Sequence, residues 1–239
     1  MSDQAHKSSA NQIRARFDAD VERFSELSAG QRTAIDSALA LDLIAEGASK
    51  VCPNAKTLLD VGCGAGNWTI KLLQRLPGLT VTLVDLSRPM LDRAQSRVAE
   101  AGATVSAAIQ SDIRAYTFAD GSFDLIVAGA VLHHLRSDTE WRDTFASFHR
   151  WLKPGGSVWV YDLIRHEIPA IDQLMTARYA DHLRTIGGDD FVKTVFGYIE
   201  EEDSPQPITW QIDRLREAGF ANVDLLHKTA TFGAYVGVK

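Results

Sequence analysis

A glycine-rich turn between a strand and a helix decides the fold, and it lies in the segment LLDVGCGAGN, residues 58–67. The apolar residues before the turn predict a buried strand, and the residues after it predict a helix. Glycines at Gly62, Gly64 and Gly66 permit a tight turn and let a ligand approach main-chain N–H groups at the positive end of that helix. The segment therefore predicts a site for an anionic or carboxylate-bearing ligand.

Short apolar runs recur along the chain on both sides of this turn. They occupy residues 56–61, 80–84, 105–109, 123–128 and 157–163, and helix-like segments at residues 68–76, 88–101 and 140–152 lie between them. This alternation predicts an α/β fold, with a doubly wound, Rossmann-like parallel sheet and helices on both faces. Residues 222–227 and 231–238 predict a terminal antiparallel hairpin.

The domain organisation follows from the segments outside this alternation. The 239 residues predict one domain, at residues 11–239, after a disordered leader at residues 1–10. Within that domain, residues 11–50 predict N-terminal helices, the first with an apolar face of Ile13, Phe17, Val21 and Phe24 and the second from about Gln31 to Ala48. Together with an insertion at residues 164–203, these helices are predicted to form a substrate lid.

Composition and charge exclude several classes of function. The 31 acidic and 25 basic side chains give a net charge of −6, which disfavours non-specific binding of nucleic acid. The two cysteines, Cys52 and Cys63, form no disulfide framework, and no His, Cys or carboxylate spacing predicts a metal site. Because neither a signal peptide nor an apolar run of membrane-spanning length occurs, we expect a soluble, cytoplasmic protein that does not bind membranes.

Two acidic residues follow the second and third predicted strands. Asp85 lies about 20 residues beyond the glycine turn, where a carboxylate accepts hydrogen bonds from ribose hydroxyls in both nicotinamide and adenosyl cofactor sites. Asp112 is positioned to accept from an adenine amino group while the N–H of Ile113 donates to the ring. The alternative is that Asp112 only caps a turn. A dinucleotide fingerprint would place its third glycine at Asn67, one residue later than Gly66.

These motifs together resemble those of the class I S-adenosylmethionine-dependent methyltransferases. The resemblance includes the glycine turn, Asp85, the Asp112–Ile113 pair, FDLIVAGAVLHHL at residues 123–135, LKPGG at residues 152–156 and AGF at residues 218–220. It implies a seven-stranded sheet of order 3-2-1-4-5-7-6 with strand 7 antiparallel. It also implies S-adenosyl-L-methionine as cofactor and S-adenosyl-L-homocysteine as product.

The resemblance also implies a role for particular residues. Asp60, Gly62 and Gly64 would hold the methionine end of the cofactor. Asp85 would hold the ribose, and Asp112 with Ile113 the adenine. The main chain at Ala128 and Gly129 would bind the ammonium group. The remaining members of the implied cofactor site are Cys63, Leu86 and Met90, with Cys63 interpreted as a small packed side chain rather than a nucleophile.

The chemistry needs few catalytic groups, since a sulfonium is already an excellent leaving group and positioning supplies most of the acceleration. A general base is needed only for an acceptor that loses a proton, and the candidates are His133 and His134, for which a packing role is the alternative. The candidate substrate residues come from the lid segments, where the alternative is ordinary core: Arg14, Phe17, Arg178, Tyr179 and Phe196.

Several alternatives remain open at this level. A small-molecule acceptor is the first hypothesis, and a tRNA-modifying transferase of the wobble-uridine carboxymethyl type is the second. The others are a catalytically silent cofactor-binding module and a nicotinamide-dependent oxidoreductase. The sequence leaves the oligomeric state open, with a homodimer as one alternative.

Overall fold

A seven-stranded sheet forms the centre of the protein in a computed structural model that describes residues 7–25 and 32–239. The strands are β1 (Thr57–Val61), β2 (Thr80–Asp85), β3 (Thr104–Gln110), β4 (Phe123–Gly129), β5 (Leu152–Leu163), β6 (Asn222–Thr229) and β7 (Phe232–Val238). Their spatial order is β3-β2-β1-β4-β5-β7-β6, which confirms the predicted order. Strands β1 to β5 pair in parallel, and β7 runs antiparallel to both β5 and β6.

Helices cover both faces of the sheet. In chain order they are α1 (Ala10–Ala19), α2 (Val21–Ser25), α3 (Ser37–Val51), α4 (Asn67–Leu73), α5 (Arg88–Glu100), α6 (Asp138–Trp151), α7 (Pro169–Glu202) and α8 (Ile208–Glu217). Local sequence explains where several of them begin. The Ser87 and Ser137 hydroxyls accept hydrogen bonds from the N–H groups of Met90 and Glu140 and thereby cap α5 and α6.

Two apolar clusters hold the layers together, one on each face of the sheet. Side chains alternate along β1, so Leu58 packs in one cluster and Leu59 in the other. Trp141 and Phe145 of α6 are fully buried in the second cluster. The central strands β1, β2 and β4 are covered on both sides, which is why their sequences are nearly continuously apolar rather than alternating.

The N-terminal region begins with a capped helix. Residues 1–6 lie outside the described residues, Ser9 forms a capping box with Gln12, and α1 begins at Ala10. The disorder predicted for residues 1–10 stays a prediction. The helix predicted from Gln31, itself outside the described residues, begins at Ser37. Asp36 before it adopts a left-handed conformation, with φ of 59°. The predicted place of Phe24 on the apolar face also lies outside the described side chains.

The insertion between β5 and α8 is the long helix α7. The backbone leaves helical geometry inside it at Gly187 and Gly188, the latter with φ of 71°, so the helix is kinked there. Only Tyr179, Leu183 and Glu202 of α7 are buried. Within residues 7–25 and 32–239, no helix combines the length and the apolar character needed to cross a bilayer.

Candidate active site

The glycine turn leads from β1 to α4 at the carboxyl edge of the sheet. Gly62, Gly64 and Gly66 have φ values of 62°, 49° and 82°, a region that favours glycine. A Cβ atom on Gly62 would lie 2.4 Å from Cγ2 of Val131, whereas a Cβ on Gly64 would face open space. The turn is therefore packed against the β4 edge at Gly62 and open toward a ligand at Gly64.

The Asp85 carboxylate at the end of β2 links the turn to α5. Its Oδ2 accepts a hydrogen bond of 2.8 Å from the Gly64 N–H, and its Oδ1 accepts one of 2.8 Å from the Ser87 N–H. Burial raises the pKa of Asp85, while the two N–H donors act in the opposite direction. Each carboxylate oxygen has a second acceptor position, so the group can still accept from two ribose hydroxyls.

Asp60 lies behind the turn rather than on the surface of the cavity. Its Oδ2 accepts a hydrogen bond of 2.6 Å from the Thr69 hydroxyl. Its Oδ1 is buried without a hydrogen-bond partner among the described residues. Burial raises the pKa of this carboxyl to about 7. Asp60 therefore supports the turn from behind, and its contact with the methionine end of the cofactor stays a prediction.

Asp112 caps a turn, which is one of the two alternatives that the sequence left open, and it also lines the cavity. Its Oδ1 caps the 3-10 turn Ile113–Ala115 by accepting from the Arg114 N–H at 2.9 Å, and its Oδ2 pairs with the Arg114 guanidinium. The arginine contacts oppose burial, and the pKa of Asp112 is lowered. Asp112 and Ile113 both line the cavity, so capping does not remove Asp112 from the cavity surface, and its contact with adenine stays a prediction.

We expect Asp112→Ala to lower the affinity for S-adenosylmethionine by about 1 kcal/mol, roughly fivefold, which is the usual contribution of one hydrogen bond. Calorimetric titration measures this effect. Because the alanine also removes the cap, Asp112→Asn serves as the control. It retains an acceptor oxygen for the cap and should bind more tightly than the alanine variant. Equal affinity of the wild type and Asp112→Ala would contradict a role in adenine binding.

One cavity of about 410 Å³ joins the glycine turn to the lid segments. Nine of the predicted cofactor residues line it: Gly62, Cys63, Gly64, Asp85, Leu86, Met90, Asp112, Ile113 and Gly129. Asp60 and Ala128 do not. Cys63 is buried, and burial raises the pKa of its thiol well above the usual value, which is inconsistent with a thiolate nucleophile.

The five predicted substrate residues occupy three kinds of position. Phe17 and Tyr179 line the cavity, together with apolar residues that sequence reasoning did not select: Ile13, Leu163, Val195, Ile199 and Phe232. Arg14 and Arg178 are exposed and do not line it, because α1 and α7 turn Ile13 and Tyr179 inward instead. Phe196 packs behind Tyr179, with ring centroids 5.7 Å apart.

The two candidate catalytic histidines form a polar wall of the cavity with Asp203, and we refer to His133, His134 and Asp203 as the polar wall. Nδ1 of His134 lies 3.1 Å from Oδ1 of Asp203, and Nε2 of His133 lies 3.7 Å from the same oxygen. All three residues line the cavity. Asp203 was not predicted, because no local pattern separates it from the other acidic residues at the end of α7.

Asp162, at the end of β5, fixes the orientation of His133. One oxygen contacts Nδ1 of His133, and the other accepts a hydrogen bond of 2.6 Å from the Leu132 N–H. Burial opposes protonation of His133, but the Asp162 and Asp203 carboxylates outweigh it and raise the pKa of this imidazole to about 9. Nε2 of His133 is left to face the cavity side of the wall. Asp162 was not among the predicted site residues. Its position at the end of a strand, which it shares with the predicted Asp85, was a signal that could have identified it.

The N-terminal segment and α7 meet over the cavity. The Arg16 guanidinium makes a two-point contact with the Glu202 carboxylate, which is almost fully buried. The Ser8 N–H donates to the carbonyl of Glu201 at 2.8 Å, and Nζ of Lys7 donates to the carbonyl of Asp203 at 2.7 Å. Both segments therefore cover the polar wall.

The chain matches a model for the methyltransferase domain over residues 58–156. It is 30% identical over 169 residues to a demethylmenaquinone methyltransferase of Staphylococcus aureus (strain JH9), covering 69% of this chain and 68% of the relative. It is also 31% identical over 172 residues to the ubiquinone/menaquinone biosynthesis C-methyltransferase UbiE of Paracoccus denitrificans, covering 70% and 66%.

Solved structures share the fold. Human N-acetylserotonin methyltransferase in complex with SAM superposes with a TM-score of 0.62 at 17% identity, covering 100% of this chain and 60% of that chain. An O-methyltransferase family protein of Burkholderia thailandensis superposes with a TM-score of 0.65 at 21% identity, covering 99% and 65%. The chain thus spans about three fifths of the length of these structures, and at such identities the likeness is one of fold.

Proposed function

Because this chain belongs to the class I S-adenosylmethionine-dependent methyltransferases, we propose that it methylates a small, largely apolar acceptor that carries an oxygen close to the methylated atom. The proposal rests on the observation that two parts of the cavity are lined by chemically different residues. The glycine turn and its acidic partners line one part, and the part that remains for the acceptor combines apolar side chains with the polar wall. Family membership also removes the nicotinamide-dependent alternative.

The chemistry of the apolar part supports an acceptor of the aromatic or quinol class. Phe17, Tyr179 and Phe232 provide ring surfaces, and Ile13 and Ile199 provide aliphatic ones. The names of the two relatives above are those of a demethylmenaquinone methyltransferase and of a C-methyltransferase of ubiquinone and menaquinone biosynthesis. A hydroxylated aromatic ring would place its apolar body against these side chains and an oxygen against the polar wall.

The bound cofactor supplies a methyl group on a sulfonium, whose carbon–sulfur bond breaks as the acceptor's electron pair forms the new bond and sulfur keeps the old pair. The chain's own contribution is to hold both partners in line and to exclude water. The polar wall orients the acceptor oxygen and interacts with the charge it carries once its proton has left. His133 and His134 remain our candidates for catalytic residues.

We also propose that α1 and α7 act as the predicted lid over this reaction. The Asp18 carboxylate accepts a hydrogen bond of 2.6 Å from the Ser87 hydroxyl, next to Asp85. The Arg16–Glu202 contact lies at the other end of the cavity, beside the polar wall. Through these contacts α1 bridges the cofactor side and the acceptor side, so its position affects both.

The direct test is a turnover assay with methyl-labelled S-adenosylmethionine and a panel of hydroxylated naphthoquinols and simple phenols, read as a mass increase of the acceptor. We expect transfer to at least one ring compound. Labelled tRNA or protein in a cell extract, without transfer to any small molecule, would contradict the proposed acceptor class. Failure to bind S-adenosylmethionine at all would contradict the whole proposal.

We expect His134→Ala to reduce kcat for such an acceptor by about 100-fold or more, the lower end of what a positioned proton-transfer or orienting group contributes. The affinity for S-adenosylmethionine should change less than threefold, as a rough expectation, because the glycine turn and Asp85 remain intact. His166→Ala is the control, since His166 is also largely buried but lies outside the cavity lining. Equal kcat in the wild type and His134→Ala would assign His134 to packing.

A further inference from the structure

We propose that the polar wall binds a divalent transition-metal ion through Nε2 of His133, Nδ1 of His134 and a carboxylate oxygen of Asp203. The sequence predicts no metal site, because its motif spacings contain none. Only the fold brings Asp203 beside the two histidines. The use we suggest for the ion rests on the proposed function, whereas the binding itself does not.

The separations of the three candidate ligand atoms suit one ion. These atoms all lie within 4.8 Å of one another. The two distances to Oδ1 of Asp203 are 3.1 Å from His134 and 3.7 Å from His133. Two ligand atoms bound tetrahedrally at the usual zinc distances lie about 3.3 Å apart. Small side-chain rotations therefore bring the three atoms to a common centre.

The orientation of His133 matches that of a metal ligand. The buried Asp162 holds its Nδ1, so Nε2 is the nitrogen available to an ion. Asp162 is itself fixed by hydrogen bonds from the N–H groups of Leu132 and Leu163, at 2.6 and 2.7 Å. A carboxylate that holds the far nitrogen of a ligating histidine is the usual outer partner in such sites, where it sets the tautomer and the ring position.

The surroundings of His134 are a second observation that favours a bound metal ion. Its Nδ1 is buried and makes no hydrogen bond with any residue in the described part of the chain, although Oδ1 of Asp203 is only 3.1 Å away. The distance between these two atoms is that of an ion pair, but their angle is not that of a hydrogen bond. A buried nitrogen that points at a carboxylate in this way is satisfied when both atoms bind the same cation.

The charges around the wall allow a cation. Two basic side chains lie near the wall: the charge of Arg16 is paired with the Glu202 carboxylate, and Nζ of Lys7 donates to the main-chain carbonyls of Glu200 and Asp203. The Asp162 and Asp203 carboxylates both contact the histidines, so one divalent ion balances them when the imidazoles are neutral. Two imidazoles and one carboxylate favour zinc, iron, cobalt or nickel over magnesium or calcium, which prefer oxygen ligands.

Three protein ligands leave coordination positions open, as in catalytic metal sites. Since His133, His134 and Asp203 line the cavity, those positions face the acceptor. An acceptor hydroxyl bound there would release its proton to solvent more readily, and the electron pair on oxygen would stay with the ring. The ion would thus select acceptors with an oxygen donor and hold them beside the transferred methyl group.

The test is a titration of tag-free, chelator-treated full-length protein with cobalt chloride, followed by visible absorption, and with zinc chloride, followed by calorimetry. We expect one ion per chain and a cobalt spectrum typical of nitrogen and oxygen ligands. Asp203→Asn and His134→Gln should each weaken binding by about 100-fold or more, since even outer partners contribute about 10- to 100-fold. Melting curves show whether the variants are folded.

His166→Gln is the matched control, because His166 lies 3.6 Å from the Asp172 carboxylate but belongs to no group of three possible ligands within the described residues. Metal binding that survives in this variant and is lost in the other two supports the proposal. Equal binding in all four proteins would place the ion elsewhere and overturn it. Absent metal binding in a protein that binds S-adenosylmethionine and methylates an acceptor would overturn the metal site and leave the proposed function intact.

Discussion

Asp85→Ala is expected to lower the affinity for S-adenosylmethionine by about 1.5 to 3 kcal/mol, or roughly 10- to 150-fold, the range for hydrogen bonds to a charged group. The carboxylate lies at the cavity surface and accepts from the Gly64 N–H. Its removal takes away the proposed ribose contacts and also releases the glycine turn. Calorimetric titration with S-adenosylmethionine and S-adenosylhomocysteine measures both affinities.

Two further variants separate these effects. Asp85→Asn keeps an acceptor oxygen for one N–H group without the charge, so we expect its affinity to lie between those of the wild type and the alanine variant. Asp92→Ala removes an acidic group from the exposed ion pair with Arg88 on the same helix, and it should bind the cofactor as the wild type does. Unchanged affinity in Asp85→Ala would mean that Asp85 does not hold the ribose.

A variant that begins at Gln31 is expected to fold, to bind S-adenosylmethionine more weakly and to have lost methyl transfer. Ile13 is the only side chain of α1 that is buried, and fully burying such a residue contributes about 1.5 to 3 kcal/mol. This is a fraction of the 5 to 15 kcal/mol typical of a domain. The sheet keeps both of its apolar clusters, whereas the cavity loses the wall formed by Ile13, Arg16 and Phe17.

A thermal melt, a cofactor titration and a turnover assay on this variant test the expectation together. A folded variant with full turnover would defeat the lid proposal. An unfolded one would mean that the N-terminal helices are part of the core. In the full chain, Arg16→Ala breaks the contact with Glu202, whereas Arg14→Ala changes an exposed arginine two residues away. We expect only Arg16→Ala to lower turnover.

The fold was predictable because its signals are local. A buried parallel strand needs a continuous apolar run, and a crossover helix needs an apolar stripe and a cap. Each of these signals lies within one short segment, as at Ser87 before α5. The glycine turn was equally readable, since left-handed φ values at Gly62, Gly64 and Gly66 restrict the residue type at each position. Some elements begin or end at residues other than those predicted, as α3 does by starting at Ser37. The turns at these ends have no strong sequence pattern.

The acceptor side was less predictable because helix rotation determines which side chains face the cavity. Phe17 and Tyr179 point inward, but Arg14 and Arg178, one residue or a few residues away on the same helices, are exposed. The apolar residues of α1 form an incomplete stripe, so the pattern alone did not separate a ligand-facing side chain from a solvent-facing one. Phe196 shows the related difficulty that an aromatic residue of a lid can pack on another aromatic residue rather than on the ligand.

By itself, the sequence determined the strand order, the family and most of the residues that line the cavity around the glycine turn, because those features depend on residues close together in the chain. Only the tertiary structure decided the composition of the polar wall. Asp203 comes to His133 and His134 from the far end of α7, and Asp162 reaches His133 from the end of β5. Such contacts depend on where α7 crosses the carboxyl edge of the sheet, and that crossing is set by packing between distant segments rather than by any local pattern.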